Sequence, residues 1–225
     1  INIGCKACHG PVAKHIEWSA SKKPDLENKG FHSPLPMGRE WQFSVGDSIA
    51  KPTGDSNQGH IDMCANCHSL RTPLNESHVA NSFLESNRLQ PLTTPSYFHD
   101  GQIQGEVFVI GSFIQSKMYQ QGVTCSNCHD PHTAKLIMPE KVVCLQCHQA
   151  SNYAQKSHHQ HQNNSIGAQC VSCHMPETTY MEIDKRRDHG WHKPTPNIAK
   201  QFATPDTCLS CHKEKNSDWS SLYVS

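Results

Sequence analysis

Aliphatic and aromatic side chains are scarce in this chain. Only 35% of its 225 residues are hydrophobic and 7% are aromatic; the mean hydropathy is −0.65. A chain of this length normally buries a sizeable core. This one has few residues with which to build it, a composition otherwise typical of partial disorder. Net charge is lacking too, because 20 Lys and Arg balance 20 Asp and Glu. There is no basic patch interleaved with aromatics, which argues against nucleic acid as a partner. Long apolar runs are missing. The longest, Val107 to Ile114, is too short to span a bilayer. The sequence has no initiator methionine and no signal peptide, so its start reads as processed or truncated.

No cysteine is spare. All 12 fall within six copies of Cys-x-x-Cys-His: Cys5/Cys8/His9, Cys64/Cys67/His68, Cys125/Cys128/His129, Cys144/Cys147/His148, Cys170/Cys173/His174 and Cys208/Cys211/His212. That leaves none for a disulfide or a free nucleophile. The spacing has a mechanical reason. Two thiols so placed form thioethers with the two vinyl groups of one porphyrin, and the next histidine binds the iron from one face. Zinc would need four ligands gathered per ion, and its chemistry does not require a histidine after every second cysteine. Six covalent haems c are therefore expected, one per 37 or 38 residues. The porphyrins then supply the missing core, and the fold should depend on them. Their propionates should make the loaded protein acidic.

There are 17 histidines. Six belong to the motifs, which leaves 11 for the opposite faces of six irons. His15 sits on a helix opened by Pro11 and running to about Ser19. His60 precedes Cys64 by four residues and shares its face if the stretch is helical. His99 follows two aromatics and precedes a turn. His132 follows Asp130-Pro131, which breaks the chain away from His129. It cannot reach the iron of His129 from the other side, so it should cap a neighbouring haem. His158 and His161, three residues apart, should lie on one helical face. His189 lies between a charged run and Gly190. His32, His78, His159 and His192 are left outside this ligand set.

Between the motifs, residues 21–59 and 70–100 read as irregular, with Phe31, Trp41 and Phe43 as packing anchors. Residues 103–121 carry Val107, Ile110, Ile114 and Met118 at helical spacing and suggest one helix, interrupted by Gly111 to admit a porphyrin. Thr204 should cap the helix of the sixth motif ahead of Pro205. Lys185, Arg186 and Arg187 read as a solvated or propionate-pairing face. Residues 1–225 are taken as a single domain organised around the central motif pair at 123–148.

The runs CKACHGPVAKH, DGQIQGEVFVIGSFIQSKMYQQGVTCSNCHDPH, GAQCVSCHMPETTYM and DKRRDHGW with TPDTCLSCHKEK resemble bacterial multihaem cytochromes c of the paired-CxxCH kind. Relatives often carry a tetratricopeptide-repeat domain, and a further haem motif upstream; neither is present here. The resemblance implies a mainly α, irregular, haem-packed fold with little or no sheet. It also implies bis-histidine haems, with His15, His132, His158, His161 and His189 as distal ligands.

These readings lead to an electron carrier, periplasmic or extracellular because haem is attached outside the cytoplasm. Redox proteins or extracellular acceptors are its expected partners. One alternative is a subunit of an extracellular cytochrome filament, a homopolymer with haem contact between subunits. Another is a multihaem reductase of small nitrogen or sulfur oxyanions, which would need one iron with an open face.

Overall fold

The structure is a computed structural model that describes residues 3–21, 26–31, 39–54, 59–75 and 82–224. His32 and His78 lie outside these residues. The described residues form short helices, long turns and three two-stranded antiparallel ribbons. In chain order they are α1 (Cys5–His9), α2 (Ala13–Ser21), β1 (Glu40–Gln42), β2 (Lys51–Thr53), α3 (Gly59–His68), β3 (Arg71–Pro73), α4 (Phe83–Ser86), β4 (Asn87–Leu89) and α5 (Val109–Phe113). Then come α6 (Lys117–Gln120), α7 (Glu140–Leu145), α8 (Ala150–Tyr153), α9 (Lys156–His159), α10 (Cys170–His174), β5 (Glu177–Tyr180), β6 (Asp184–Arg187), α11 (Pro196–Phe202) and α12 (Ser217–Ser220). β1 pairs with β2, β3 with β4 and β5 with β6. None of these helices is long and apolar enough to cross a membrane.

Among the described residues, buried apolar side chains gather in two small clusters, with Ala50, Val123, Val143, Val171 and Ala199 buried apart from them. In the first, Ile61 and Ala65 of α3 pack against Phe83 of α4 and Ile110 and Phe113 of α5, with Trp191 and Tyr119 at the margin. Phe113 meets the rings of Tyr119 and Trp191 edge-on. The second contains Tyr97, Ile103, Val107 and Tyr180. The first cluster sets α3, which carries the second motif, against α4 and α5.

Four local expectations are corrected. Residues 103–121 do not form one helix. Ile103 bridges to Tyr97 in an extended conformation, and α5 begins only at Val109. A separate α6 starts where the Ser116 hydroxyl accepts the Tyr119 N–H at 3.0 Å. The group that needs the space at Gly111 is the Tyr97 phenol, since a Cβ there would stand 2.0 Å from its oxygen. Thr204 is buried and caps nothing. Asp206 caps the 3₁₀ turn Thr207–Ser210, accepting the Cys208 N–H at 3.0 Å. Phe43 is exposed rather than an anchor, whereas Phe31 stacks on His15 with ring centres 3.9 Å apart. The basic run lies on β6, where Arg186 pairs with Asp184 and Arg187 with Glu140 and Glu177. It is a paired surface.

Candidate haem-binding sites

Each motif forms one helical turn. The histidine N–H returns to the carbonyl of the first cysteine four residues earlier, as in His129 to Cys125 at 2.8 Å, His148 to Cys144 at 3.0 Å and His212 to Cys208 at 3.0 Å. α1 and α10 coincide with the first and fifth motifs, and α3 ends on the second. Residues i, i+3 and i+4 share one face of a helix, so both thiols and the imidazole point the same way. Capping fixes several of these turns. Thr124 donates its N–H to the Asn127 side chain at 2.8 Å ahead of the third motif. The fourth motif is clamped by residues 48–50, with the Ala50 N–H donated to Cys147 and the Gln149 N–H donated to Ser48.

The twelve motif cysteines do not share one environment. Cys64, Cys125, Cys128, Cys144, Cys147, Cys170, Cys173 and Cys208 are half-buried, whereas Cys5, Cys8, Cys67 and Cys211 are exposed. Cys67 and Cys211 are each the more exposed cysteine of their motif. Each is the second cysteine of its motif and lies where a helical turn runs out. Cys67 is the last residue but one of α3, and Cys211 directly follows the turn Thr207–Ser210. The first cysteines of the same two motifs, Cys64 and Cys208, are the more sheltered. Thioether formation itself needs a thiol that a vinyl group can reach, which an exposed Cys67 or Cys211 provides. The same holds for Cys5 and Cys8 on α1, a helix with no buried residue.

Four motif histidines each face a histidine from elsewhere in the chain. His9 faces His132 with ring centres 6.3 Å apart and planes 23° from parallel. His129 faces His189 at 6.4 Å and 30°, and His174 faces His158 at 6.1 Å and 16°. His212 faces His161 at 6.0 Å and 32°. Stacked rings in contact are far closer, as His15 on Phe31 shows at 3.9 Å. Two metal–nitrogen bonds of about 2 Å plus two ring radii of about 1.1 Å give a centre-to-centre distance of about 6.2 Å. The gaps therefore fit one iron and one porphyrin plane between two imidazoles.

Hydrogen bonding sets the tautomers to match. His189 donates Nδ1–H to the Arg187 carbonyl at 2.9 Å, and His174 donates to the His192 carbonyl at 3.1 Å. His161 engages the His159 carbonyl in the same way. Each leaves Nε2 with its lone pair, the arrangement that orients a metal-binding imidazole. Burial lowers the pKa of His9, His129, His148, His158 and His189. It thereby favours the neutral ring that binds a metal. The turn after the third motif is held by Asp130, whose carboxylate accepts the His132 N–H at 2.9 Å and aims that ring away from His129.

Two sequence expectations meet a different geometry. His158 and His161 do not share a helical face. α9 stops at His159, Gln160 is left-handed at φ 59°, and the two rings turn towards different motifs. His132 lies against the first motif, not the neighbouring fourth. Among the described residues, no histidine faces His68 or His148 at the separation of the four pairs. His148 meets Tyr153 edge-on at 5.2 Å, and Tyr153 is near Ser48. His60 shares α3 with Cys64 and lies 3.3 Å from the Ser126 hydroxyl. His15 holds the Lys29 carbonyl through Nδ1 at 2.8 Å. His99 is exposed beside Phe202. Sequence reasoning did not find the parts played by His159 and His192, whose carbonyls hold His161 and His174. A carbonyl acceptor leaves no mark in side-chain type.

The motifs also neighbour one another in chain order. α1 packs on α3, α3 on the turn Cys125–Asn127, and α10 on the turn Thr207–Ser210. The Cys64 thiol lies beside that of Cys125, and Cys144 beside Cys170, which pulls the pKa of Cys170 down to about 6. Burial and then Cys147 hold that of Cys128 up at about 11.

No family model matches the chain. It is 23% identical over 219 residues to the multihaem cytochrome MtrA of Shewanella baltica (strain OS185), a match covering 95% of this chain and 43% of that protein. Among solved structures, the outer cell wall cytochrome OcwA superposes with a TM-score of 0.55 at 20% identity, over 96% of this chain and 55% of that one. The chain thus spans about half the length of the proteins it matches. Its fold is that of a multihaem c-type cytochrome.

Proposed function

We propose that the chain is a hexahaem electron carrier with two imidazoles on each iron. The observation that carries this reading is the set of four histidine pairs 6.0–6.4 Å apart, each joining a motif histidine to one outside the motifs. The proposed axial pairs are His9/His132, His129/His189, His174/His158 and His212/His161. His68 and His148 are the remaining proximal ligands, and His15, His60 and His99 the remaining distal donors. All 12 motif cysteines carry thioethers, the exposed Cys67 and Cys211 included. When bound, haem supplies one-electron iron chemistry. Two nitrogen ligands leave no position for a substrate, so the protein moves electrons and does not convert a small molecule.

The succession of neighbouring motifs supports a row of haems in sequence order, with residues 1–225 acting as one unit. Covalent attachment, and the fold shared with a cytochrome of the outer cell wall, support a periplasmic or extracellular site. Redox proteins or extracellular acceptors are the partners in this reading. Intact mass tests it first, and should exceed that of the bare chain by six haems. A count of four or fewer would overturn it.

One observation favours a filament as a second reading. His15 is half-buried against Phe31, has Nδ1 engaged and faces no imidazole among the described residues. It is therefore placed to cap an iron of a second copy. Gel filtration and electron microscopy test this: large assemblies support it, and a monomer under all conditions rejects it.

A further inference from the structure

The turn from Arg187 to His192 serves two sites at once. Arg187 supplies the carbonyl that fixes His189, and His192 the carbonyl that fixes His174. Between them lies Asp188, a carboxylate only 3% exposed. One of its oxygens accepts the Gly190 N–H at 2.7 Å and the other the Ile103 N–H at 3.2 Å. Such an acceptor-only arrangement suits the ionised group. The other groups around it are His192, with Nε2 at 3.7 Å, and the buried phenols of Tyr97 and Tyr180. Among the described residues no lysine or arginine pairs with it. The nearby arginines are paired with Asp184, Glu140 and Glu177. A buried charge without a cationic partner is costly, and residues retained at such cost often serve a site.

We propose that Asp188 is a potential-setting anion for the iron between His129 and His189. It is the residue adjacent to His189, in the turn whose Arg187 carbonyl fixes that imidazole. A fixed negative charge in a poorly screened interior stabilises the ferric over the ferrous state and lowers the potential. The inference rests on the haem reading above, which the haem count of the unaltered protein tests separately.

The experiment is an optical redox titration of the fully loaded Asp188→Asn and Asp188→Ser variants beside the unaltered protein. Both neutralise the charge, and serine removes the amide that would confront a backbone N–H. The midpoint of one haem should rise while mass still counts six haems and the iron stays low-spin. The paramagnetic resonance signal that moves should be the one lost in His189→Ala. Asp188→Glu, which keeps the charge, should restore the lower midpoint. An unchanged titration in loaded neutral variants overturns the proposal, as does a lowered midpoint. Failure of both neutral variants to yield loaded protein also overturns it, and assigns Asp188 to the fold alone.

Discussion

Replacing Gly167 by alanine is expected to uncouple one haem ligand without touching a ligand. Gly167 lies in the 3₁₀ turn Ile166–Ala168, directly beneath the His161 ring. A Cβ there would stand 2.3 Å from Cδ2, 2.6 Å from Cγ and 2.7 Å from Nε2 of His161. Ordinary carbon contacts are about 3.5–4.0 Å, so the ring must retreat by roughly 1 Å. Metal–ligand distances tolerate about 0.2 Å. The turn itself is pinned to α10, because the Ser172 hydroxyl donates to the Ile166 carbonyl at 2.8 Å. The imidazole is therefore the part that yields, and relief by shifting the backbone would cost about 1–3 kcal/mol as overpacking. The backbone at Gly167 is not left-handed, so alanine adds no torsional strain of its own. Paramagnetic resonance of the oxidised variant should show a high-spin signal for one haem, that of His212, with six haems still present by mass. His161→Ala should give the same spectrum. A Gly167→Ala protein with unaltered low-spin signals and an unaltered redox titration would refute the reasoning.

His132→Ala should keep all haems attached, turn one iron high-spin or water-ligated with its potential raised, and open one site to cyanide. The affected haem is expected to be that of Cys5 and Cys8; an unchanged spectrum would remove His132 from the ligands. Gly111→Ala would force a methyl group to within 2.0 Å of the Tyr97 oxygen, whose ring is only 1% exposed. The expected loss is about 1–3 kcal/mol in denaturant titrations of the loaded protein. Chain made without haem attachment should be unfolded by circular dichroism, since the two clusters of buried apolar side chains among the described residues are small. A cooperative thermal transition in that material would contradict this.

The attachment chemistry was legible because it depends on local spacing alone: a cysteine, a cysteine three on and a histidine four on fall on one helical face in any fold. How far the chain covers each thiol was not legible, because exposure at Cys67 and Cys211 is set by what packs beyond the end of a turn. The sequence also offered His132, His158, His161 and His189 as candidate donors, partly through resemblance, but not the motif histidine that each faces. His132 meets His9 across more than half the length of the chain, and only tertiary packing sets that. The pairing of His158 and His161 on one face failed because Gln160 turns left-handed between them. The single helix over 103–121 failed because periodicity does not see the Ser116 cap or the bridge from Ile103 to Tyr97. Asp188 could not be found from sequence, since burial without a cationic partner is a tertiary property.

Spin-quantified paramagnetic resonance of the oxidised protein, on a sample whose intact mass counts its haems, tests the central claim most directly. Six haems giving low-spin signals only is the expected result. A high-spin signal equal to one haem in the unaltered protein, or a count of four or fewer, would contradict it.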